Sequence, residues 1–189
     1  ISPRLAFMTM AFLAREVPFV LYCLFSYLQP AEPSKSSFAY FQLGRADPAL
    51  VQRARRKALV DHTVMQIPLL WLSYDLFRWI GSPQLEDPLP PPVAVLAQLL
   101  FFVIVCDAAG WLGHRALHHP LLYTRFHKQH HEFLICDPVA ATYFGTIDDL
   151  LEGVLPAMLG PLLLRAHVLV TFGWVALRIC ETSEAHLGL

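Results

Sequence analysis

Four apolar stretches separated by polar connections set the pattern of this chain. Leu5 to Leu28 is long enough to cross a bilayer as a helix, although Arg15, Glu16 and Pro18 interrupt it. Val64 to Ile80 contains Asp75 and Arg78 and is short for a span. Val93 to Leu112 is the cleanest, about twenty residues whose only charge is Asp107. Leu150 to Cys180 is broken by Pro156, Gly160, Pro161 and the run Arg165 to His167. These breaks predict two helices joined by a short turn, and each half is short enough to expect a shallow or tilted hairpin. The expected fold is all-α: a multi-pass helical membrane protein.

The connections carry charge of opposite sign. Ser34 to Lys57 holds Lys35, Arg45, Arg53, Arg55, Arg56 and Lys57, and His114 to Lys128 adds Arg115, Arg125 and Lys128. Gly81 to Pro92 holds five prolines with Glu86 and Asp87 and no basic residue. By the positive-inside rule the two basic segments face the cytosol and the proline-rich loop faces away, and one hairpin from His62 to Leu112 satisfies all three placements. Composition agrees: 56% of the 189 residues are hydrophobic and 15% charged, with a mean hydropathy of +0.47, where soluble domains are less apolar and more charged. A net charge of −1 argues for neither nucleic acid nor an acidic partner. Cys23, Cys106, Cys136 and Cys180 form no C-x-x-C pair and read as small buried residues in a reducing setting. The chain opens on Ile1, and both ends read as cut.

Six of the nine histidines fall between positions 114 and 131. On a helix, residues three and four apart share a face, so His114 pairs with His118, and His127 with His130 and His131. Neutral imidazole is the commonest protein ligand for transition metals. Two short arms of this kind, broken at Pro120, can converge on one or two ions; Fe, Zn, Cu and Ni all suit such donors. The H-E-x-x-H pattern of zinc proteases is absent, because Phe133, Leu134 and Ile135 follow His131-Glu132. Asp107 lies two helical turns before His114, where it can accept a hydrogen bond from a ligating ring and fix its tautomer, or reach the membrane interface. Asp148, Asp149 and Glu152 read as an acidic helix start complementing the helix dipole. His62 and His167 read as polar surface residues.

The run His114-Arg-Ala-Leu-His-His119, followed by His127-Lys-Gln-His-His-Glu-Phe133 with Leu122, Tyr123 and Arg125 between, resembles the fatty acid hydroxylase superfamily, which includes the sterol desaturases. Within it the chain looks most like the C4-methylsterol oxidases, through Asp107, His-His-Glu-Phe and the segment Arg178 to Thr182 that leads to His186. The resemblance implies a multi-pass enzyme of the endoplasmic reticulum membrane with a cytosol-facing non-haem di-iron centre. It implies O2-dependent hydroxylation of a lipid, with electrons from NAD(P)H through cytochrome b5 or a reductase. Ligands carried over would be His114, His118 or His119, His127, His130, His131 and His186, with Asp107 behind them.

Three departures qualify this. A last H-x-x-H-H box is absent, so the chain alone is expected to be inactive. Gly145 and Thr146 stand where methylsterol oxidases usually have His-Pro, and His186-Leu-Gly-Leu189 replaces His-Ser-Gly-Tyr. The expected function is therefore an iron-dependent lipid monooxygenase, most like a sterol oxidase. The alternatives are a fatty-acid or sphingolipid hydroxylase of the same superfamily, and a non-catalytic membrane protein keeping a divergent histidine framework. The expected organisation is an N-terminal span over 1–33, a basic connection over 34–61 and a catalytic domain over 62–189.

Overall fold

A computed structural model describes residues 1–28, 46–134 and 137–186. Lys35, Arg45, Cys136 and residues 187–189, on which parts of the sequence reading fall, lie outside them. All regular structure among the described residues is helical. Helix α1 (Pro3–Leu28) is followed by α2 (Pro48–Val60), α3 (Gln66–Trp79) and α4 (Pro92–Leu117), then by single turns α5 (Pro120–Leu122) and α6 (Thr146–Asp148), and last by α7 (Leu155–Leu163) and α8 (Val168–Ala185). Helix α1 packs on α3 and α8, and α4 packs on α7.

Helices α1 and α4 are long and apolar enough to cross a membrane, and few of their residues are buried inside the chain. On α4 the residues Val93, Leu96, Leu100, Ile104 and Trp111 face outward. Its buried residues are Phe102, Cys106 and Leu117. A Cβ on Gly160 of α7 would lie 3.0 Å from the Phe102 backbone of α4, so glycine sets this crossing.

The predicted helix pair within 150–180 is present as α7 and α8. Pro161 sits inside α7 and has no N–H for the carbonyl of Ala157 four residues back. The indole N–H of Trp174 on α8 donates to that carbonyl at 2.8 Å, so the break in one helix becomes a tie to the next. The turn between them is a Schellman motif with Arg165 at φ 46°, a position that favours glycine. Helix α3 ends in the same motif with Gly81 at φ 78°. The proline-rich loop covers the α7–α8 turn: the Val168 N–H donates to the Pro83 carbonyl at 3.0 Å, and His167 Nε2 to the Asp87 carbonyl at 3.1 Å.

Two sequence expectations change here. The basic connection contains helix α2, because Leu50, Ala54 and Ala58 recur every four residues and bury one stripe while Arg53, Arg55 and Arg56 stay in water. His62 and His167 are not surface residues but buried ones. His167 caps α8 through its ring, and His62 Nδ1 lies 2.8 Å from Glu16 Oε2.

Among the described residues, three wide π-helical turns interrupt the helices, at Asp61–Met65, Tyr123–His127 and Asp149–Val154. The first and third run into Pro68 and Pro156. A proline ring crowds the carbonyl four residues back and offers it no N–H, a conflict that a wider turn relieves.

A candidate metal centre

Helix α4 runs beyond the apolar stretch to Leu117, so His114 lies within its last turn and His118 caps it. The chain then breaks at His119, whose Nδ1 accepts from the Leu121 N–H at 3.4 Å to start α5. The wide turn Tyr123–His127 and a 3-10 turn at His130–Glu132 bring the second arm back under the first. Glu132 holds this arm in place, 3.4 Å from Arg53 of α2 and 3.3 Å from the donating Tyr143 hydroxyl.

The result is a convergence of imidazoles. One nitrogen from each of His114, His118, His127 and His131 lies within 4.8 Å of the others. His114 Nε2 is 3.0 Å from His118 Nε2, and His127 Nε2 is 2.9 Å from His131 Nε2. The outer nitrogens are engaged elsewhere: His114 Nδ1 lies 2.7 Å from Glu152 Oε1, and His127 Nδ1 lies 2.9 Å from Asp148 Oδ1. A carboxylate on Nδ1 holds the proton there, leaving the Nε2 lone pair aimed at the shared centre.

The His130 ring stands 5.6 Å from that of His127 and 5.4 Å from that of His131. The His130 ring stacks on Phe144 at 4.4 Å and stands 6.0 Å from His186. His186 donates Nδ1–H to the Thr182 carbonyl at 2.7 Å, which frees its Nε2. His130 Nδ1 is buried without a hydrogen-bond partner among the described residues, a cost that a ligand would remove. The residues present therefore fit a transition metal at the four-imidazole group, with His130 and His186 beside it as a sparser pair.

Electrostatics favour the same use. Burial, with His114 and His118 close by, pushes His127 down to about 4. Burial and then His186, His131, His127 and His114 push His130 down to about 3, and His131 is lowered for similar reasons. Neutral rings keep their lone pairs for a metal at neutral pH. Burial raises Asp148 to about 6, and burial with Asp148 nearby raises Glu152 to about 7. A cation bound at the centre offsets that cost.

Of the residues singled out from the sequence, His114, His118, His127 and His131 come together, with His130 and His186 adjacent. His119 is engaged in its capping bond, and of the two it is His118 that joins the imidazole group. Asp107 is exposed on α4 and bonds none of the described histidines. The carboxylates that do reach the imidazole group are Asp148 and Glu152, which the sequence reading assigned to the helix dipole alone. The missed signal was their spacing: two carboxylates four apart, entering an apolar helix, in a chain with crowded imidazoles that each need an acceptor. Beside the centre an open depression of about 410 Å³ is lined by His118, Pro120, Tyr123 and Thr124, with exposed Leu121 next to it.

Comparison with known proteins agrees with this geometry. Residues 99–189 match the model of the fatty acid hydroxylase family. Methylsterol monooxygenase 2-1 of Arabidopsis thaliana is 35% identical over 132 residues, 70% of this chain and 48% of that protein. Fatty acid hydroxylase domain-containing protein 2 of Macaca fascicularis is 28% identical over 160 residues, 83% of this chain and 48% of that protein. A very-long-chain aldehyde decarbonylase of Oryza sativa subsp. indica is 31% identical over 141 residues, 75% and 52% of the two chains. The chain thus spans about half the length of these relatives. No solved structure matches it.

Proposed function

We propose, from the premise that residues 99–189 belong to the fatty acid hydroxylase family, that this chain is the metal-binding part of an iron-dependent lipid hydroxylase. The observation that carries this is the set of four convergent imidazoles, two of them oriented by carboxylates, the buried Asp148 and the partly buried Glu152. His114, His118, His127 and His131 would hold one iron, and His130 and His186 would contribute to a second. When bound, non-haem iron supplies the O2 activation needed to hydroxylate an unactivated C–H bond.

The chain's own residues do the rest. Asp148 and Glu152 hold the protons on Nδ1 of His127 and His114, and burial keeps His127 and His130 neutral. The depression beside His118 and Tyr123 is where an apolar substrate would approach from the bilayer. The methylsterol monooxygenase relatives support a sterol-like substrate. In this reading α1 and α4 are spans of a multi-pass protein of the endoplasmic reticulum membrane, residues 62–189 form the catalytic part, and the centre faces the cytosol. Electrons come from NAD(P)H through cytochrome b5 or a reductase.

The test uses the full-length protein in detergent or nanodiscs, offered a 4-methylsterol and a long-chain aldehyde in parallel. His118→Ala should lose bound iron and turnover, while His119→Ala keeps most of both. Unchanged iron and turnover in His118→Ala would sink the ligand assignment, and aldehyde consumption without sterol oxidation would move the substrate away from sterols.

A further inference from the structure

In the second histidine arm, His127, His130 and His131 turn toward the imidazole group, so the residues between them must face elsewhere. They face a hollow of about 390 Å³, which none of the candidate ligands lines. Its polar lining is Thr124, Arg125, Lys128, Gln129 and Glu132 from the arm, with Thr146 from the segment that follows. The two walls are tied together. A Cβ on Gly145 would lie 3.2 Å from the Phe126 carbonyl oxygen, and Gln129 Nε2 donates to the Phe144 carbonyl at 3.4 Å.

Charge in this hollow is one-sided. Glu132 is its acidic residue, and the Glu132 carboxylate already faces Arg53 of α2 at 3.4 Å and the Tyr143 hydroxyl at 3.3 Å. Arg125 and Lys128 have no such match: among the described residues the ion-paired arginines and lysines are Arg4, Arg15, Arg53, Lys57 and Arg178. Both side chains are exposed and free to turn inward. A guanidinium fork, an ammonium group, two threonine hydroxyls and a weakly held amide are donors that suit the several oxygens of one phosphate.

The hollow also borders apolar surface. Thr124 lines it and lines the depression beside His118 as well, next to exposed Leu121. Where α4 ends, the Arg115 guanidinium stands 5.2 Å over the ring of exposed Trp111. A cation beside an exposed aromatic ring at the end of an apolar helix is the pattern of the lipid headgroup level.

We propose that this hollow binds a phosphate group through Arg125 and Lys128, carried either by a membrane lipid whose tails lie past Thr124 and Leu121 or by a soluble phosphate. The site is separate from the metal centre and needs no metal to form.

Calorimetric titration of the full-length protein in detergent, in phosphate-free buffer, tests it with three probes: dioctanoyl phosphatidic acid, dioctanoyl phosphatidylcholine and inorganic phosphate. Phosphatidic acid should bind more tightly than phosphatidylcholine, whose choline cation opposes Arg125 and Lys128. Tighter binding of phosphatidic acid than of inorganic phosphate assigns the site to a lipid, and equal binding assigns it to a soluble phosphate. Arg125→Gln and Lys128→Gln should each weaken binding by roughly threefold to tenfold, the loss of one charge-assisted contact at an exposed site. Arg55→Gln removes an exposed arginine of α2 that does not line the hollow and should leave affinity unchanged. An equal loss in Arg55→Gln would mark diffuse surface charge and overturn the proposal. So would phosphatidylcholine binding as tightly as phosphatidic acid, or no binding of either phosphatidic acid or inorganic phosphate. If one of the two hollow variants fails to fold, the other is compared with Arg55→Gln in its place. Phosphate binding in a protein without iron or lipid turnover would leave this inference standing and remove the proposed function, and turnover without phosphate binding would do the reverse.

Discussion

Replacing Asp148 by asparagine should separate metal binding from stability. Asp148 is fully buried, its Oδ1 accepts from His127 Nδ1 at 2.9 Å, and its Oδ2 has no partner among the described residues. Asparagine keeps the volume and can still accept from Nδ1–H, but the charge that makes the imidazole a stronger donor is gone. Loss of such an outer-shell carboxylate typically weakens metal binding about 10–100-fold, or roughly 1.4–2.7 kcal/mol. The metal-free protein should respond the other way, because a buried carboxylate with one oxygen unpaired costs free energy. Burial raises its pKa from 3.8 to about 6. Its penalty is therefore full above that value and fades as pH falls toward 3.8, so any gain in Asp148→Asn should be largest near neutral pH and vanish in acid. Competitive cobalt(II) or zinc(II) titration of the full-length protein gives the affinity, and thermal unfolding of the chelator-treated protein gives the stability. Wild-type affinity in the variant, or a metal-free protein several kcal/mol less stable, would show that Asp148 is an ordinary core residue and refute the reasoning.

Gly113→Ala should lower metal affinity more than its size suggests, since the new methyl meets the Leu151 carbonyl and pushes the wide turn away from His114; cobalt titration reads it, and wild-type affinity would contradict it. Arg165→Gly should stabilise the protein by up to about 1 kcal/mol by relieving a positive φ, visible as a raised Tm. His127 and His130 sit at about 4 and about 3 against an ordinary 6.5. Between these values the unfolded chain takes up protons that the folded one refuses, so the metal-free protein should lose stability as pH falls below 6.5. His130→Gln should flatten that slope in thermal unfolding. Metal uptake near neutral pH should release protons, because Glu152 at about 7 is part-protonated before the cation arrives; calorimetry in buffers of different ionisation enthalpy measures them.

The helices were legible where hydrophobic pattern alone decides them. The apolar stretches appear as α1, α3, α4 and the α7–α8 pair, and Pro120 breaks the two arms as expected. Helix α2 was hidden because its buried stripe is made of Leu50, Ala54 and Ala58, two of them alanines too weakly apolar to stand out among arginines. The histidine pairing was legible because it is local, three and four residues apart. Asp148 and Glu152 were not, because their partners lie 21 and 38 residues away and only packing brings them together. His62 and His167 look polar in sequence yet are buried, since each ring is matched to a partner on a distant element.

The wide turn at Asp149–Val154 also has a genetic consequence. A π-turn is an α-helix with one residue more than the helix needs, and each α-helical residue turns the chain by about 100°. Deleting a single residue from this turn would restore a regular helix into α7 while rotating Asp148 away from His127 or swinging α7 off α4. The hairpin and the centre cannot both keep their registers. This stretch should therefore not tolerate the loss of one codon.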